Sequence, residues 1–188
     1  MPVPILKLMS GRTVMPAPPP SMHDTLTSRG ASLVPSSPSD RAELLDQTEW
    51  SRRFSWKTLE ILATYVRPYL LPTGRTLFKE GDHDAFLGVV VEGGLDIVKN
   101  DSAEQPLVVG RVGRGKMVGE MSLLDGNARS ATAIGAETTT LIVLSKEAFD
   151  QLAVDHPAIA LELTTAIATA IAQLLRQTTG TLVEYLGG

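Results

Sequence analysis

The stretch Gly119–Ala133, GEMSLLDGNARSATA, places two opposite charges in a run of small and apolar residues. Glu120 follows a glycine, and Arg129 opens a segment, residues 130–134, that reads as a buried strand. A guanidinium beside a strand core is costly to desolvate unless it is paired. Planar arginine is also the side chain best suited to a bidentate bond with a phosphate. The stretch therefore predicts an anion site with Arg129 as its cation.

The residues around these two charges extend the prediction from an anion to a nucleotide. Gly119 permits close backbone approach, and residues 120–124 can form one helical turn whose free N–H groups face an anion. A carboxylate beside a phosphate makes sense where Glu120 accepts a hydrogen bond from a ribose hydroxyl, as acidic residues do in dinucleotide sites. One cation and one sugar acceptor describe a small phosphorylated nucleoside.

The sequence on either side of this stretch predicts a β-rich domain with flanking helices. From Tyr69 to Leu144, short apolar runs alternate with glycine turns, a pattern typical of a barrel or jelly roll. Apolar residues recur at helical spacing after Ser55, Ser145 is followed by acidic residues, and Pro157 suits the start of a long last helix. We expect helices in 41–68, a β-roll in 69–144 and C-terminal helices in 145–186, the last helix stopping at Gly180.

The first forty residues have a different composition. They are rich in proline and serine, including Pro16–Pro20 and Pro35–Pro38, and offer little to bury. We therefore expect 1–40 to be a disordered tail and 41–188 to be the domain.

The overall composition excludes several classes of protein. The 188 residues are 43% hydrophobic and carry a net charge of −4, which disfavours a general role on nucleic acids or acidic membrane surfaces. Cysteine is absent, so disulfides, thiolate catalysis and cysteine metal sites are excluded, as fits a reducing compartment. No stretch suggests a transmembrane span by its length. We expect a cytoplasmic protein with no membrane span and no DNA partner.

Catalytic signatures are also missing. Residues 110–116 approximate a phosphate-binding loop of nucleoside triphosphatases, but Met117 stands where that motif needs a hydroxyl for magnesium. The chain has no nucleophile elbow, and Asp82-His83-Asp84 fits a turn better than a metal site. We expect no enzymatic activity, no metal and no cofactor.

Gly119–Ala133 resembles the phosphate-binding cassette of cyclic nucleotide-binding domains: Gly-Glu, a small and apolar run, a short loop, then Arg, a small residue and Ala. Upstream pieces that resemble the same family are Pro72–Gly74, Leu77–Phe78, Gly81–Asp82 and Val91–Gly93. The resemblance covers about residues 54–179. It implies a mainly β fold, a β-roll (jelly roll) with an N-terminal helix and a long C-terminal helix that acts as lid or dimer seam.

The resemblance also implies a role for each cassette residue. Glu120 would hold the ribose 2′-hydroxyl, Arg129 the cyclic phosphate, and Ser130 the phosphate or the base. Backbone N–H groups near Met121 and Ser122 would complete the phosphate cradle. The implied ligand-binding set is Gly119, Glu120, Met121, Ser122, Arg129, Ser130 and Ala131.

Two departures from the DNA-binding activators of this family shape the functional hypothesis. The chain does not continue into a helix-turn-helix reader, which indicates a stand-alone module that senses cAMP or cGMP and relays a change to an unknown protein partner. Apolar Ala170, Leu174 and Leu175 align where those activators place polar side chains on adenine, and the nearest polar candidates are Thr169, Gln173 and Arg176.

Two alternatives stay open at this point. One is a constitutive interaction domain that has lost its ligand. The other is a receptor for c-di-GMP, which would need more basic groups than one arginine. The last helix, apolar from Ile159 to Leu175 with small alanines between, also indicates a possible homodimer through that helix.

Overall fold

The computed structural model describes residues 21–101 and 103–187. The helices are α1 (Met22–Ser28), α2 (Pro38–Asp46), α3 (Trp56–Tyr65), α4 (Glu120–Asp125), α5 (Lys146–Asp155) and α6 (Pro157–Gly187), with a short 3₁₀ helix at Glu49–Arg53. The strands are β1 (Ser32–Leu33), β2 (Arg67–Leu71), β3 (Thr76–Phe78), β4 (Phe86–Glu92), β5 (Gly94–Asn100), β6 (Pro106–Gly113), β7 (Met117–Val118), β8 (Thr132–Gly135) and β9 (Thr139–Ser145).

The strands form two antiparallel sheets that make a roll. One sheet has the order β1-β2-β9-β4-β7 and the other the order β3-β8-β5-β6. Side chains from both sheets share one core, in which Tyr69, Phe86 and Leu141 meet Leu77 and Leu95. The fold class expected from the sequence, a β-roll with flanking helices, is confirmed.

The strands β4 and β9 are buried on both faces, which explains their nearly continuous apolar sequence. On β9, Leu141 and Val143 point into the roll, whereas Ile142 and Leu144 belong to a second core beneath the helices. This second core contains residues of α2, α3, α5 and α6. The helices therefore cover one side of the roll, and the first half of α6 is held against it by this second core.

The segment 21–40 is folded, so the expected disordered tail to residue 40 is wrong for this part of it. Ser21 caps α1, Leu26 is fully buried in the roll core, and β1 pairs with β2. Ser37 and Asp40 form a reciprocal capping box around Pro38 at the start of α2. The serines and prolines that indicated disorder thus act as helix caps and starts. The rest of the predicted tail, residues 1–20, lies outside the described residues.

The last helix is longer than expected. We predicted a stop at Gly180, but α6 continues through it to Gly187. A glycine inside a helix costs only about 1 kcal/mol relative to alanine, and no proline follows to end the helix.

The same helix also contradicts our expectation about membrane-length segments. By length and composition alone, Pro157–Thr181 would suffice to cross a membrane, with a mean hydropathy of 1.7. A core helix of a globular domain meets this criterion as well, and the first half of α6 packs on the second core through Ala160, Leu163 and Ile167.

Candidate functional site

The backbone of Arg129 is fixed by the turn between β3 and β4. Its N–H donates to the carbonyl oxygen of Asp82 at 2.8 Å, and its carbonyl oxygen accepts from the N–H of Gly81 at 2.9 Å. These two bonds hold the start of β8 against the turn 79–85. The position of the side chain is therefore set by two segments that are almost fifty residues apart in sequence.

The guanidinium of Arg129 lies inside the protein. Its side chain is stacked between the rings of Phe78 and Phe86, with the central carbon 4.1 and 4.3 Å from the two ring centres. The residue is only 2% exposed. Aromatic faces attract a cation, and the attraction grows when water is excluded. The two rings thus offset part of the cost of burying this charge.

The hydrogen bonds of the guanidinium are uneven. Nη1 donates to the carbonyl oxygens of Phe86 (2.9 Å) and Gly119 (3.0 Å), and Nε donates to Oδ1 of Asp84 at 3.3 Å. Nη2 is buried and has no hydrogen-bond partner among the described residues. Burial lowers the pKa of Arg129 from its ordinary value, and the charge of Asp84 opposes that shift. One donor nitrogen of this buried guanidinium therefore lacks an acceptor among the described residues.

Gly119 is required by the packing around Arg129. Its φ is +79°, in the left-handed region, and it precedes the first residue of α4. A Cβ at this position would clash with Nη1 of Arg129 and lie 2.6 Å from the carbonyl oxygen of Phe86. The first glycine of the cassette thus lets the chain pass over the arginine.

Glu120 is the first residue of α4 and is half-buried. Burial raises the pKa of its carboxyl, while hydrogen bonding to its own backbone N–H and the charge of Arg129 act in the opposite direction. A Glu120–Arg129 ion pair would be the purely structural explanation of the cassette. Across residues 21–101 and 103–187, the ion pair of Arg129 is formed with Asp84 instead.

The other predicted site residues surround this centre. Ser122 is buried, Ala131 is half-buried, and Met121 and Ser130 are exposed. The roles that the resemblance implies for them stay predictions. The structure brings Gly119, Glu120 and Arg129 together at the start of α4.

The residues that hold Arg129 were not predicted from the sequence. The rings of Phe78 and Phe86 come from β3 and β4, and no sequence pattern linked them to the cassette. Asp82 and Asp84 were interpreted as turn residues, and Asp82 does accept from the N–H of Lys79 at 2.7 Å. The missed signal was the presence of two carboxylates in one turn, which calls for cations nearby.

A second arginine provides that cation. Arg29, at the C-terminal end of α1, donates from Nη1 to Oδ2 of Asp84 and from Nη2 to Oδ2 of Asp82. The chain of charges therefore runs from Arg29 through Asp84 to Arg129. In the part of the chain that the structure describes, no group of acidic or histidine residues could hold a metal ion.

The helix positions that we expected to face a base are not enclosed. Leu174 and Leu175 are exposed, and Ala170 is half-buried. The polar candidates Gln173 and Arg176 are exposed as well. The far half of α6 does not form a wall of the site in this conformation of the single chain.

The comparison with known families agrees with this geometry. The profile of the cyclic nucleotide-binding domain matches residues 70–156, which include the cassette and the turn that carries Asp82 and Asp84. A cyclic AMP receptor protein of Thermus thermophilus is 33% identical over 89 residues, or 47% of this chain. The chain spans only 41% of that relative's length.

Solved structures extend the likeness beyond the matched segment. A cyclic nucleotide-binding domain from Methylobacillus flagellatus has a TM-score of 0.73 at 22% identity, covering 82% of this chain and 89% of that one, and shows the common fold. A c-di-GMP-responsive global regulator from Xanthomonas campestris has a TM-score of 0.59 at 26% identity, covering 66% and 61%. Residues 70–156, which contain the buried arginine and its glycine, are thus similar in sequence to the cyclic nucleotide-binding domain.

Proposed function

We propose that the site around Glu120 and Arg129 binds a cyclic mononucleotide, cAMP or cGMP, and that the protein acts as a regulatory sensor rather than an enzyme. The observation that carries the proposal is the buried, unpaired Nη2 of Arg129. A buried donor without a partner costs about 1–3 kcal/mol, and a cyclic phosphate offers acceptors of matching charge. The ligand would therefore remove a penalty that the protein alone retains.

Glu120 supports the ribose part of the proposal. Its carboxylate is half-buried and has no ion-pair partner within the described ranges, so it can accept hydrogen bonds from a sugar hydroxyl. A carboxylate here repels a bare phosphate, which favours a ligand with both sugar and phosphate.

Binding requires movement, and this links the site to signalling. Because Nη2 is covered in this conformation, the phosphate must displace part of the cassette or turn the guanidinium. The segment that moves carries α4, which contacts α6. A ligand that prefers the shifted arrangement shifts the population of α6 positions, and a protein partner would detect that change.

The experiment is calorimetric titration of the protein with cAMP, cGMP and c-di-GMP, with Arg129→Ala and with Arg52→Ala as matched control. Arg52 is exposed and makes no ion pair among the described residues. We expect one mononucleotide to bind the wild type and the control, and Arg129→Ala to lose binding. If Arg129→Ala does not fold, Arg129→Lys and Glu120→Gln replace it.

Two other outcomes identify alternatives. Heat with c-di-GMP alone would favour the dinucleotide, the ligand class to which the Xanthomonas regulator responds. Heat with none of the three, and no melting shift, would favour a constitutive interaction domain, as the apolar Leu174 and Leu175 on the uncovered part of α6 suggest.

A further inference from the structure

Arg29 lies outside the segment that matches the family, yet its side chain reaches the centre of the site. The segment that carries it is well anchored. Leu26 and Ala31 are buried in the roll core, and β1 pairs with β2. Arg29 itself is one-fifth exposed and also donates to the carbonyl oxygen of Leu77 at 2.8 Å. It is thus held in place independently of Asp84.

Asp84 divides its two oxygens between two arginines. Oδ2 accepts from Arg29, and Oδ1 accepts from Nε of Arg129. In a guanidinium, Nε and Nη2 lie on the same edge, and a carboxylate with two free oxygens binds both at once. Here Asp84 contacts only Nε, because its second oxygen is occupied by Arg29. Nη2 of Arg129 consequently has no partner.

The charges lead to the same conclusion. Arg29 and Arg129 balance Asp82 and Asp84, so this group of four is neutral overall. Without Arg29 the group would carry one net negative charge beside the place where an anionic phosphate must bind. Asp84 could then turn both oxygens to Arg129 and compete with the phosphate for the same edge.

We propose that Arg29 is a positioning residue of the ligand site: by holding Asp84, it keeps Nη2 of Arg129 free of a protein acceptor, so that the phosphate can bind this nitrogen once the cassette moves. This inference rests on the proposed function, and it makes residues 21–35 part of the binding unit. Loss of Arg29 weakens ligand binding only because Asp84 is present. This dependence on Asp84 distinguishes positioning from a general contribution to stability.

The test is a double-mutant cycle on the full chain, with Arg29→Met, Asp84→Asn and the two together, titrated with the cyclic mononucleotide that the wild type binds. We expect Arg29→Met to weaken binding about tenfold or more, the scale of one charge-assisted hydrogen bond. In the Asp84→Asn background the same change should alter the dissociation constant less than about twofold. Arg29→Lys, which keeps one donor for Asp84, should restore part of the affinity.

Arg75→Met serves as the matched control, because Arg75 packs against Gly30 of the same segment but makes no ion pair among the described residues. Its affinity should equal that of the wild type. If Arg29→Met fails to fold, Arg29→Lys with and without Asp84→Asn completes the cycle.

Three results would overturn the inference. An unchanged dissociation constant in folded Arg29→Met rejects it alone, while the proposed function stands. An equal loss with and without Asp84 assigns Arg29 a merely structural role. Absence of binding by the wild type rejects the proposed function and this inference with it.

Discussion

At the scale of single residues, the site depends on one buried cation, Arg129, and on the groups that stabilise its charge. Arg129 is stacked between Phe78 and Phe86 and bonded to Gly119 and Asp84. These contacts restrict the side chain before any ligand arrives, so a ligand that displaces the cassette and leaves the guanidinium in place loses little rotamer entropy on binding. Substitution of the glycine and of the carboxylate of the cassette separates the contributions of these two groups.

Gly119→Ala is expected to destabilise the protein by about 2 kcal/mol or more. Alanine would have to adopt the left-handed φ of this position, and its Cβ would clash with Arg129. Gly126→Ala is the control, because Gly126 also has a positive φ but a Cβ added there would meet no atom within 4 Å. There the cost should be about 1 kcal/mol, from backbone conformation alone. Urea denaturation measures both, and equal losses would mean that the contact with Arg129 has no influence.

Glu120→Gln is expected to stabilise the ligand-free protein at neutral pH while removing nucleotide binding. Burial raises the pKa of Glu120, so the folded state binds this proton more tightly than the unfolded chain. The resulting stability is fully present below the ordinary glutamate pKa of about 4.3 and is lost as pH rises through the raised value. Glutamine has no charge to desolvate, so its advantage over glutamate grows as pH rises through that window and is complete above it.

Urea denaturation at about pH 4 and about pH 7 checks the sign of this effect. Exposed Glu60, changed to glutamine, is the matched control for replacing a carboxylate on the surface of a helix. A stabilisation by Glu120→Gln that is larger at the acidic pH would contradict the prediction.

At the scale of elements, α6 divides into a covered and an uncovered half. Up to Ala172 it packs on the second core, and residues 173–181 are all exposed. A helix with so few charges is normally covered, and a second copy of the chain offers an identical apolar surface. The possible homodimer inferred from the sequence is therefore still our proposal for this half.

Leu175→Glu is expected to convert a dimer into a monomer, because Leu175 is 66% exposed on the uncovered half. Leu161→Glu is the matched control: Leu161 is 69% exposed on the same helix but lies in the covered half. Sedimentation velocity distinguishes the two states. A wild type that sediments as a monomer at micromolar concentration would contradict the prediction.

At the scale of the whole molecule, three parts of the chain meet at one arginine. The roll supplies the two rings, the turn after β3 supplies the carboxylates, and the residue that follows α1 is the second arginine. The N-terminal segment is therefore part of the same folded unit as residues 70–156. This arrangement is the basis for expecting that a change at Arg29 is felt at Arg129.

The sequence by itself determined the fold class, the similarity of residues 70–156 to a known domain and most of the local elements. Glycine turns, alternating strands and helix caps act over a few residues, and the spacing from Gly119 to Arg129 belongs to one continuous stretch. It failed where the signal is not local. Ser37 and Pro38 have a composition typical of disordered segments, but in the structure they cap and begin α2. Leu26 is buried only because it packs into the core of the roll.

Only the tertiary structure decided how Arg129 is held. Its aromatic neighbours, its carboxylate and the arginine behind that carboxylate lie between 43 and 100 residues away along the chain. Burial, shared oxygens and an unpaired Nη2 are properties of groups brought together in space. Composition and periodicity do not predict these properties, because the properties arise from desolvation and packing after the chain has folded.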